Sequence, residues 1–314
     1  MTPHETHITF VDGTSWSGLI EGTLALYKLV DFGIITEPCK DNYYFQWVKQ
    51  PERVIIGDAV QIIGDSVFYN CSFLLSVDIP DSVTLIDAEA FSWCTSLKHI
   101  VIPEGVTKIE VGAFSNCESL ESIVIPKSIQ EIYYCAFTGC TSLKSFEIPD
   151  GVTEIDDMTF YGCSSLRRVK IPKSVTKIGD SAFYNCDSLK SIVIPESVKE
   201  ICDGAFYGCM KLKSIILPCE LKYIGTDVLS SCSSLTSVCI RNGVKEIESF
   251  AFAGCDSLVR IGIPKSVEKI GKGAFHCCRG LKYIIFYEKT LENVKNMKNY
   301  PWGIDDETIF RVEN

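Results

Sequence analysis

The apolar residues of this chain follow a period of 23 residues from Val54 to Tyr287. One isoleucine, one leucine and one cysteine position recur in ten consecutive copies, without insertion or deletion. The cysteines of this series are Cys71, Cys94, Cys117, Cys140, Cys163, Cys186, Cys209, Cys232, Cys255 and Cys278. A single copy has too few apolar residues to fold alone, whereas copies stacked in register share a continuous core. The pattern therefore predicts a repeat solenoid.

Apolar and polar residues alternate in one short part of each copy. In Ser191–Pro195 the two isoleucines are expected to point into the core, while Ser191 and Val193 point outward. The closing proline ends the strand because it has no N–H for a parallel ladder. Val175 and Ile178, three residues apart, predict a shorter strand or turn on the opposite wall.

A turn is expected just before each cysteine of the series. The preceding residue is Asn or Gly in seven of ten copies. Both residue types tolerate positive φ, so this position predicts a left-handed turn. Trp93, Ser231 and Cys277 depart from the pattern, and the turn is expected to be distorted there.

The consensus IPxxVxxIGxxAFxxCxxLxxI resembles the BspA-type leucine-rich repeats, which occur in bacterial surface proteins. The resemblance covers Val54 to Tyr287, about three quarters of the chain. It implies a leucine-rich-repeat solenoid, a right-handed superhelix with a concave parallel β-sheet and short strands or turns on the opposite wall. It also implies an interaction role, which in several relatives is adhesion to host or matrix proteins.

The repeats, residues 54–287, are flanked by segments that lack the period. Residues 1–53 are expected to form an N-terminal cap or a small β-leaning region. Within them, Leu24–Ile35 fits either a strand or part of a helix, and strands are favoured.

Residues 288–314 retain enough large apolar side chains to cover the last repeat. We expect a C-terminal cap there, with one short helix near Leu291–Asn299 and a final strand around Thr308–Val312.

Composition narrows the possible partners and the compartment. With 46% hydrophobic and 22% charged residues the chain is folded, and its net charge of −10 argues against binding nucleic acid or anionic lipid. No apolar run approaches the roughly 18 residues of a membrane span, so membrane insertion is not expected. The start, MTPHETHITFVDGTSW, has no signal-peptide pattern. The direct interpretation is a cytoplasmic monomer; a removed signal would instead mean the cell surface or secretion.

Sixteen cysteines raise the question of disulfides or metal. The ten cysteines of the series are expected to form a ladder of small, buried, reduced thiols. The one His/Cys cluster, His276–Cys278, consists of adjacent residues whose side chains diverge, so no zinc site is expected. No nucleophile motif involves the four histidines. We expect no catalytic residue, metal or cofactor, and an enzyme hidden in residues 1–53 is the class alternative.

Outward positions of the predicted strands differ between copies, and recognition is expected there. Arg167, Arg168 and Lys170 form a basic spot in an acidic protein, near outward apolar residues. The candidate binding residues are Arg167, Arg168, Lys170, Glu147, Val193 and Ile216. Arginine beside apolar surface is typical of protein-contact centres. The alternative is that serine and valine simply suit strands and that Glu147 neutralises the arginines.

Tyr161, Tyr184 and Tyr207 occupy one position in three successive copies. They would form an aromatic strip for a sugar or peptide, or they would cover the edge of the solenoid.

The leading hypothesis is a non-catalytic protein–protein interaction module that binds an unknown protein or peptide through the concave sheet. The alternative is an extracellular adhesin for host, matrix or glycan ligands.

Overall fold

The computed structural model describes residues 4–10, 12–25, 29, 35–36, 46–47, 49–304 and 308–313. The chain divides into two compact units, Met1–Lys144 and Ser145–Asn314. This boundary lies inside the repeats, so both units contain several copies. The division expected from the sequence, at residues 53 and 287, follows the repeat pattern and stays a prediction.

The first unit consists of short strands. They are β1 Glu5–Phe10, β2 Ser15–Leu19, β3 Gly22–Leu24, β4 Ile35–Thr36, β5 Gln46–Trp47, β6 Pro51–Ile55, β7 Val60–Ile63, β8 Ser76–Asp78, β9 Leu85–Ile86, β10 His99–Val101, β11 Lys108–Ile109, β12 Ser122–Val124 and β13 Glu131–Ile132. The repeat strands form two sets. Three-residue strands pair in parallel, as β10 does with β12. The two-residue strands β13, β11 and β9 pair in parallel with one another and continue to the longer β7 and β3 in the order β13-β11-β9-β7-β3.

Strands from residues 1–53 join these sheets. Strand β1 pairs antiparallel with β2 and β6, and β6 continues in parallel to β8. Strand β3 adds in parallel to β7. Leu24 and Ile35 lie in strands, whereas Leu29 between them is helical and its N–H donates to the Ala25 carbonyl at 3.3 Å, so the favoured strand does not run through this segment. Residues 26–28 and 30–34, like Cys39, lie outside the described residues.

The second unit continues the same alternation of three-residue and two-residue strands. Its elements are β14 Ser145–Glu147, β15 Glu154–Ile155, β16 Arg168–Lys170, β17 Lys177–Ile178, β18 Glu200–Ile201, β19 Ser214–Ile216, β20 Tyr223–Ile224, β21 Ser237–Cys239, β22 Glu246–Ile247, β23 Arg260–Ile263, β24 Lys269–Ile270, β25 Tyr283–Tyr287, helix α1 Leu291–Lys295 and β26 Ile309–Glu313. All strand pairs here are parallel. The predicted solenoid with parallel sheets is confirmed in each unit.

The C-terminal segment closes the second unit. Thr290 caps helix α1 and forms a reciprocal capping box with Asn293. Strand β26 adds in parallel to β25, and the Trp302 side chain is buried. The predicted helix therefore ends four residues early, and the predicted strand is displaced by one residue.

The phenylalanines of successive copies stack in the core of each unit. Ring centroids of Phe68, Phe91 and Phe114 are 5.2 and 5.4 Å apart with nearly parallel planes. In the second unit, Phe160, Phe183 and Phe206 stack at 5.4 Å. Each aromatic pair contributes about 0.5–1.5 kcal/mol beyond the area it buries.

The cysteine series forms the predicted ladder of buried thiols. All ten are buried and none forms a disulfide. Thiols of this series donate to the carbonyl oxygen 26 residues earlier, for example at 3.2 Å from Cys94 to Phe68 and 3.3 Å from Cys209 to Phe183. A small group with a weak S–H donor suits this position, and burial raises the pKa of Cys117 to about 12.

The turn before each cysteine is left-handed in every copy. Trp93, Ser231 and Cys277 have φ of 63°, 62° and 57°, so the distortion predicted for these copies is wrong. Stacking on neighbouring turns holds even these side chains in the left-handed region.

A second left-handed position, four residues earlier in each copy, was not predicted. It is occupied by Ser66, Glu89, Gly112, Cys135, Met158, Ser181, Gly204, Asp227, Phe250 and Gly273. The residue types at this position vary so widely between copies that the sequence does not predict a positive φ there.

The strand predicted at Ser191–Val193 is also wrong. Ile192 and Ile194 are buried and Ser191 and Val193 exposed, as the alternation requires. However, the segment forms no ladder with β16 or β19, which belong to separate two-stranded sheets.

Candidate functional site

The three-residue strands of the second unit and the segment Ser191–Val193, which forms no strand, present one exposed surface, here called the strand face. It is formed by the outward side chains of Ser145, Glu147, Arg168, Lys170, Ser191, Val193, Ser214, Ile216, Ser237 and Cys239, all of which are exposed. The predicted candidates from these strands all lie on this face, and Arg167 lies at its border. Their role in binding stays a prediction.

Glu147 neutralises a lysine of the strand face, and not the arginines. The two residues are cross-strand partners in the β14–β16 ladder, and the Lys170 ammonium donates to the Glu147 carboxylate. This hydrogen bond raises the pKa of Lys170. Both side chains are about two-thirds exposed, so solvent screens the pair and it contributes little to stability.

Four cations along the strand face form a group here called the basic strip: Arg167, Arg168, Lys190 and Lys213. All four are exposed, and none has a carboxylate within 4.0 Å among the described residues. The Lys213 backbone N–H donates to the Lys190 carbonyl at 3.2 Å, so these copies are in register. The strip is therefore a local positive surface on a chain with a net charge of −10.

Sequence reasoning missed Lys190 and Lys213. They occupy the repeat position of Arg167 in the next two copies, so the 23-residue spacing would have identified them. In the first unit the same position holds Lys98, Glu121 and Lys144, and Lys144 is paired with Glu121. In the second unit the position is positive in three successive copies, at Arg167, Lys190 and Lys213, and then uncharged at Thr236 and Val259.

Apolar side chains form a second line on the strand face, here called the apolar row: Val193, Ile216 and Cys239. Val193 is 81% exposed and Ile216 is 56% exposed. The same outward position is also apolar and exposed in the first unit, at Val101 (60%) and Val124 (57%), so this row presents apolar side chains to solvent in several copies.

A pocket lies beyond Cys239. Gly262 takes the next outward position, and the Tyr287 ring lies over it, since a Cβ at Gly262 would be 2.8 Å from that ring. The same ring, with Ile240 and Pro264, lines a pocket of about 540 Å³. Arg241, Asn242, Lys265 and Glu288 complete its lining, so the apolar row leads toward a concavity with both apolar and charged walls.

The tyrosine strip, Tyr161, Tyr184 and Tyr207, is a stack of half-buried rings. Centroids are 4.7 and 4.4 Å apart, with planes within 8° of parallel. Burial raises the pKa of Tyr184, and the neighbouring tyrosines raise it further. The rings cover one another's faces, so mainly the ring edges are accessible to a ligand. Its use for a sugar or peptide stays a prediction.

A second pocket, of about 450 Å³, lies beside the two-residue strands of this unit. Asp157, Asp180 and Asp203 line it, and each accepts a hydrogen bond from a backbone N–H of the next copy, at 2.7 to 2.9 Å. These carboxylates therefore connect successive turns. Burial, aided by Glu200, raises the pKa of the nearby Cys202 to about 12, which leaves little thiolate at neutral pH.

The described part of the chain has neither a metal-binding cluster nor a membrane-spanning helix. It contains no group of three or more His, Cys, Asp or Glu side chains arranged to hold a metal ion. It contains no helix long and apolar enough to cross a membrane.

Comparison with protein families identifies the repeat. The family described as BspA type leucine rich repeat region matches residues 41–167 and 176–300 in six copies, well over half of the chain. The chain belongs to the BspA-type leucine-rich repeat family. Proteins of this BspA-type family are generally interaction or surface-protein modules, often at the cell surface, and leucine-rich repeat proteins are typically non-enzymatic.

Solved structures of bacterial leucine-rich repeat proteins resemble this BspA-type chain. A leucine-rich repeat protein from Bacteroides ovatus is 28% identical, with coverage of 98% of both chains and a TM-score of 0.56. The pneumococcal vaccine antigen PcpA is 18% identical, with 95% of this chain and 80% of that chain covered and a TM-score of 0.60, which shows a shared fold. No curated protein matches the chain.

Proposed function

We propose that this protein is a non-catalytic interaction module that binds a partner protein or peptide through the strand face of the Ser145–Asn314 unit. The observation that supports this most is the basic strip beside the exposed apolar row. Arginine next to desolvatable apolar surface is characteristic of protein-contact centres, where a few residues supply most of the binding energy. The aspartates of the other pocket already bond to backbone, and its thiol is protonated.

The test is partner capture with paired charge-reversal variants of the full chain. Arg168→Glu with Lys170→Glu reverses charge on the strand face. Lys199→Glu with Lys222→Glu makes the same change in charge at two exposed lysines away from that face. Partners are captured from native lysate by cross-linking and quantified by mass spectrometry.

We expect the strand-face variant to lose the partners of the wild type and the control to keep them. Both variants should melt within about 2 °C of the wild type, because surface substitutions of this kind change stability by less than about 0.5 kcal/mol. Equal capture by both variants, or no partner for the wild type, would contradict the proposal. Adhesion to a host or matrix protein would use the same face and is tested by adding such proteins as bait.

A further inference from the structure

We infer that the segment bound by the strand face is an acidic, extended peptide that carries an apolar side chain. This inference rests on the proposed function and specifies the chemistry of the partner. It is drawn from the charge, spacing and exposure of the basic strip and the apolar row.

The basic strip lacks its counter-charge. Arg167, Arg168, Lys190 and Lys213 are exposed and have no carboxylate partner among the described residues, whereas Lys170 beside them is paired with Glu147. Adjacent copies of a solenoid lie about 4.8 Å apart, so these cations repel one another in the free protein. Carboxylates of a ligand would remove this repulsion, and guanidinium groups bind them with two parallel hydrogen bonds.

The apolar row distinguishes a peptide from other polyanions. A sulfated glycan or a nucleic acid would use the cations and leave Val193 and Ile216 in water. A peptide can place carboxylates on the basic strip and an apolar side chain on the row. Lys190 and Lys213 precede Val193 and Ile216 by three positions, a distance of about 10 Å that three residues of extended chain also span.

The pocket at the end of the apolar row provides a place for a larger side chain. Buried Ile240 and Pro264 and the Tyr287 ring line it, together with charged residues such as Arg241 and Lys265. Its volume of about 540 Å³ exceeds that of any single side chain. Gly262 is needed here, because the ring of Tyr287 occupies the space that a side chain would fill.

The experiment selects peptides without assuming a sequence. A displayed library of short random peptides is panned on the full chain and on three variants. Arg167→Glu with Lys190→Glu disrupts the basic strip, and Val193→Ser with Ile216→Ser disrupts the apolar row. Lys199→Glu with Lys222→Glu is the charge-matched control. The enriched consensus peptide is then synthesised, and its Kd is measured by fluorescence anisotropy at several salt concentrations.

Wild type and control should enrich acidic peptides that contain at least one large apolar residue. The basic-strip variant should weaken the consensus peptide by about tenfold or more and reduce the salt dependence of binding. The apolar-row variant should keep the preference for acidic residues and lose the preference for the apolar residue.

Three results would overturn the inference. They are enriched peptides that are neutral or basic, no enrichment, and a consensus peptide that binds all variants equally. Heparin retention that depends on the basic strip and ignores the apolar row, without peptide enrichment, would assign the face to a polyanion. Self-association that depends on the strip, measured by analytical ultracentrifugation, would assign it to a second copy of the chain.

Failure of this inference can be told apart from failure of the proposed function. If captured partners depend on the strand face but selected peptides are not acidic, only the ligand chemistry is wrong. If neither captured partners nor selected peptides depend on it, both proposals fail.

Discussion

At the scale of single residues, the repeat holds many residues in a left-handed backbone conformation that their side chains disfavour. Every copy has two left-handed residues, and many of them are neither glycine nor asparagine. A left-handed conformation costs an L-residue with a side chain roughly 1–2 kcal/mol, which packing between turns must offset. The serine at 231 stands where Gly208 and Gly254 stand in the neighbouring copies. Part of the free energy gained by packing between turns therefore offsets the strain at such residues.

Replacing Ser231 by glycine should stabilise the protein by about 0.5 kcal/mol. The left-handed strain is relieved, and this gain exceeds the extra entropy of glycine in the unfolded chain, which is about 0.5–1 kcal/mol. Urea denaturation checks the prediction. Ser234→Gly is the matched control, since Ser234 does not have positive φ and should lose about 0.5–1 kcal/mol. The interpretation is wrong if both variants are destabilised equally.

At the scale of elements, the ladder of the strand face is broken twice, between β21 and β23 and at one copy that forms no strand. Ser191–Val193 lies between β16 and β19 and pairs with neither of them. Among the described residues, the nearest backbone link is the Lys190 carbonyl, which accepts from the Lys213 N–H. The interruption coincides with the basic strip, where like charges occupy successive copies. The side chains of Ile192 and Ile194 stay buried, so packing holds this segment without a ladder.

Backbone amides of this segment should exchange with solvent faster than those of β19. An amide without a hydrogen bond exchanges without local unfolding, whereas β19 is paired with β21 and the Leu217 N–H donates to Cys239 at 3.1 Å. Hydrogen–deuterium exchange with mass spectrometry should show at least about tenfold faster uptake for Ser191–Ile194 than for Ser214–Leu217. Similar protection in both segments would show that the ladder is continuous.

At the scale of the whole molecule, thiol chemistry separates core from surface. The ten ladder cysteines are buried, while Cys219, Cys239 and Cys277 are exposed and free. Burial raises the pKa of ladder thiols such as Cys209, and thiolate is the reactive form. Glu196 also accepts a hydrogen bond from Cys219 and raises the pKa of that thiol.

Brief iodoacetamide treatment of the native protein should therefore modify Cys239 and Cys277 first and Cys219 more slowly. The ladder cysteines should react only after denaturation. Peptide mass spectrometry at pH 7.5 and pH 9 checks the order, and the rate at Cys219 should rise between these two values as its thiolate forms. Native modification of any ladder cysteine at the rate of Cys239 would contradict the buried ladder.

Much of the fold could be predicted from sequence, because each copy repeats the same pattern of apolar and polar positions. The spacing of Ile, Leu, Phe and Cys fixed which side chains are buried, and the alternation in Ser191–Pro195 gave the correct inward and outward residues. The rows of the candidate surface follow from the same period, and Lys190 and Lys213 were readable from it although they were overlooked. A periodic pattern predicts whether a side chain points inward or outward, because this orientation depends only on the residue's position within the copy.

Tertiary structure decided what happens between copies. The partner of Glu147 is Lys170 because cross-strand register, and not sequence proximity, brings those two side chains together. Packing between neighbouring turns likewise decides three further features. They are the missing strand at Ser191–Val193, the second left-handed position in each copy, and the contact of the Tyr287 ring with Gly262. Sequence by itself determined the solenoid, its core and its exposed rows. Only the folded stack determined which of the exposed charges stay unpaired, because ion pairing and ladder hydrogen bonds form between residues 23 or more positions apart.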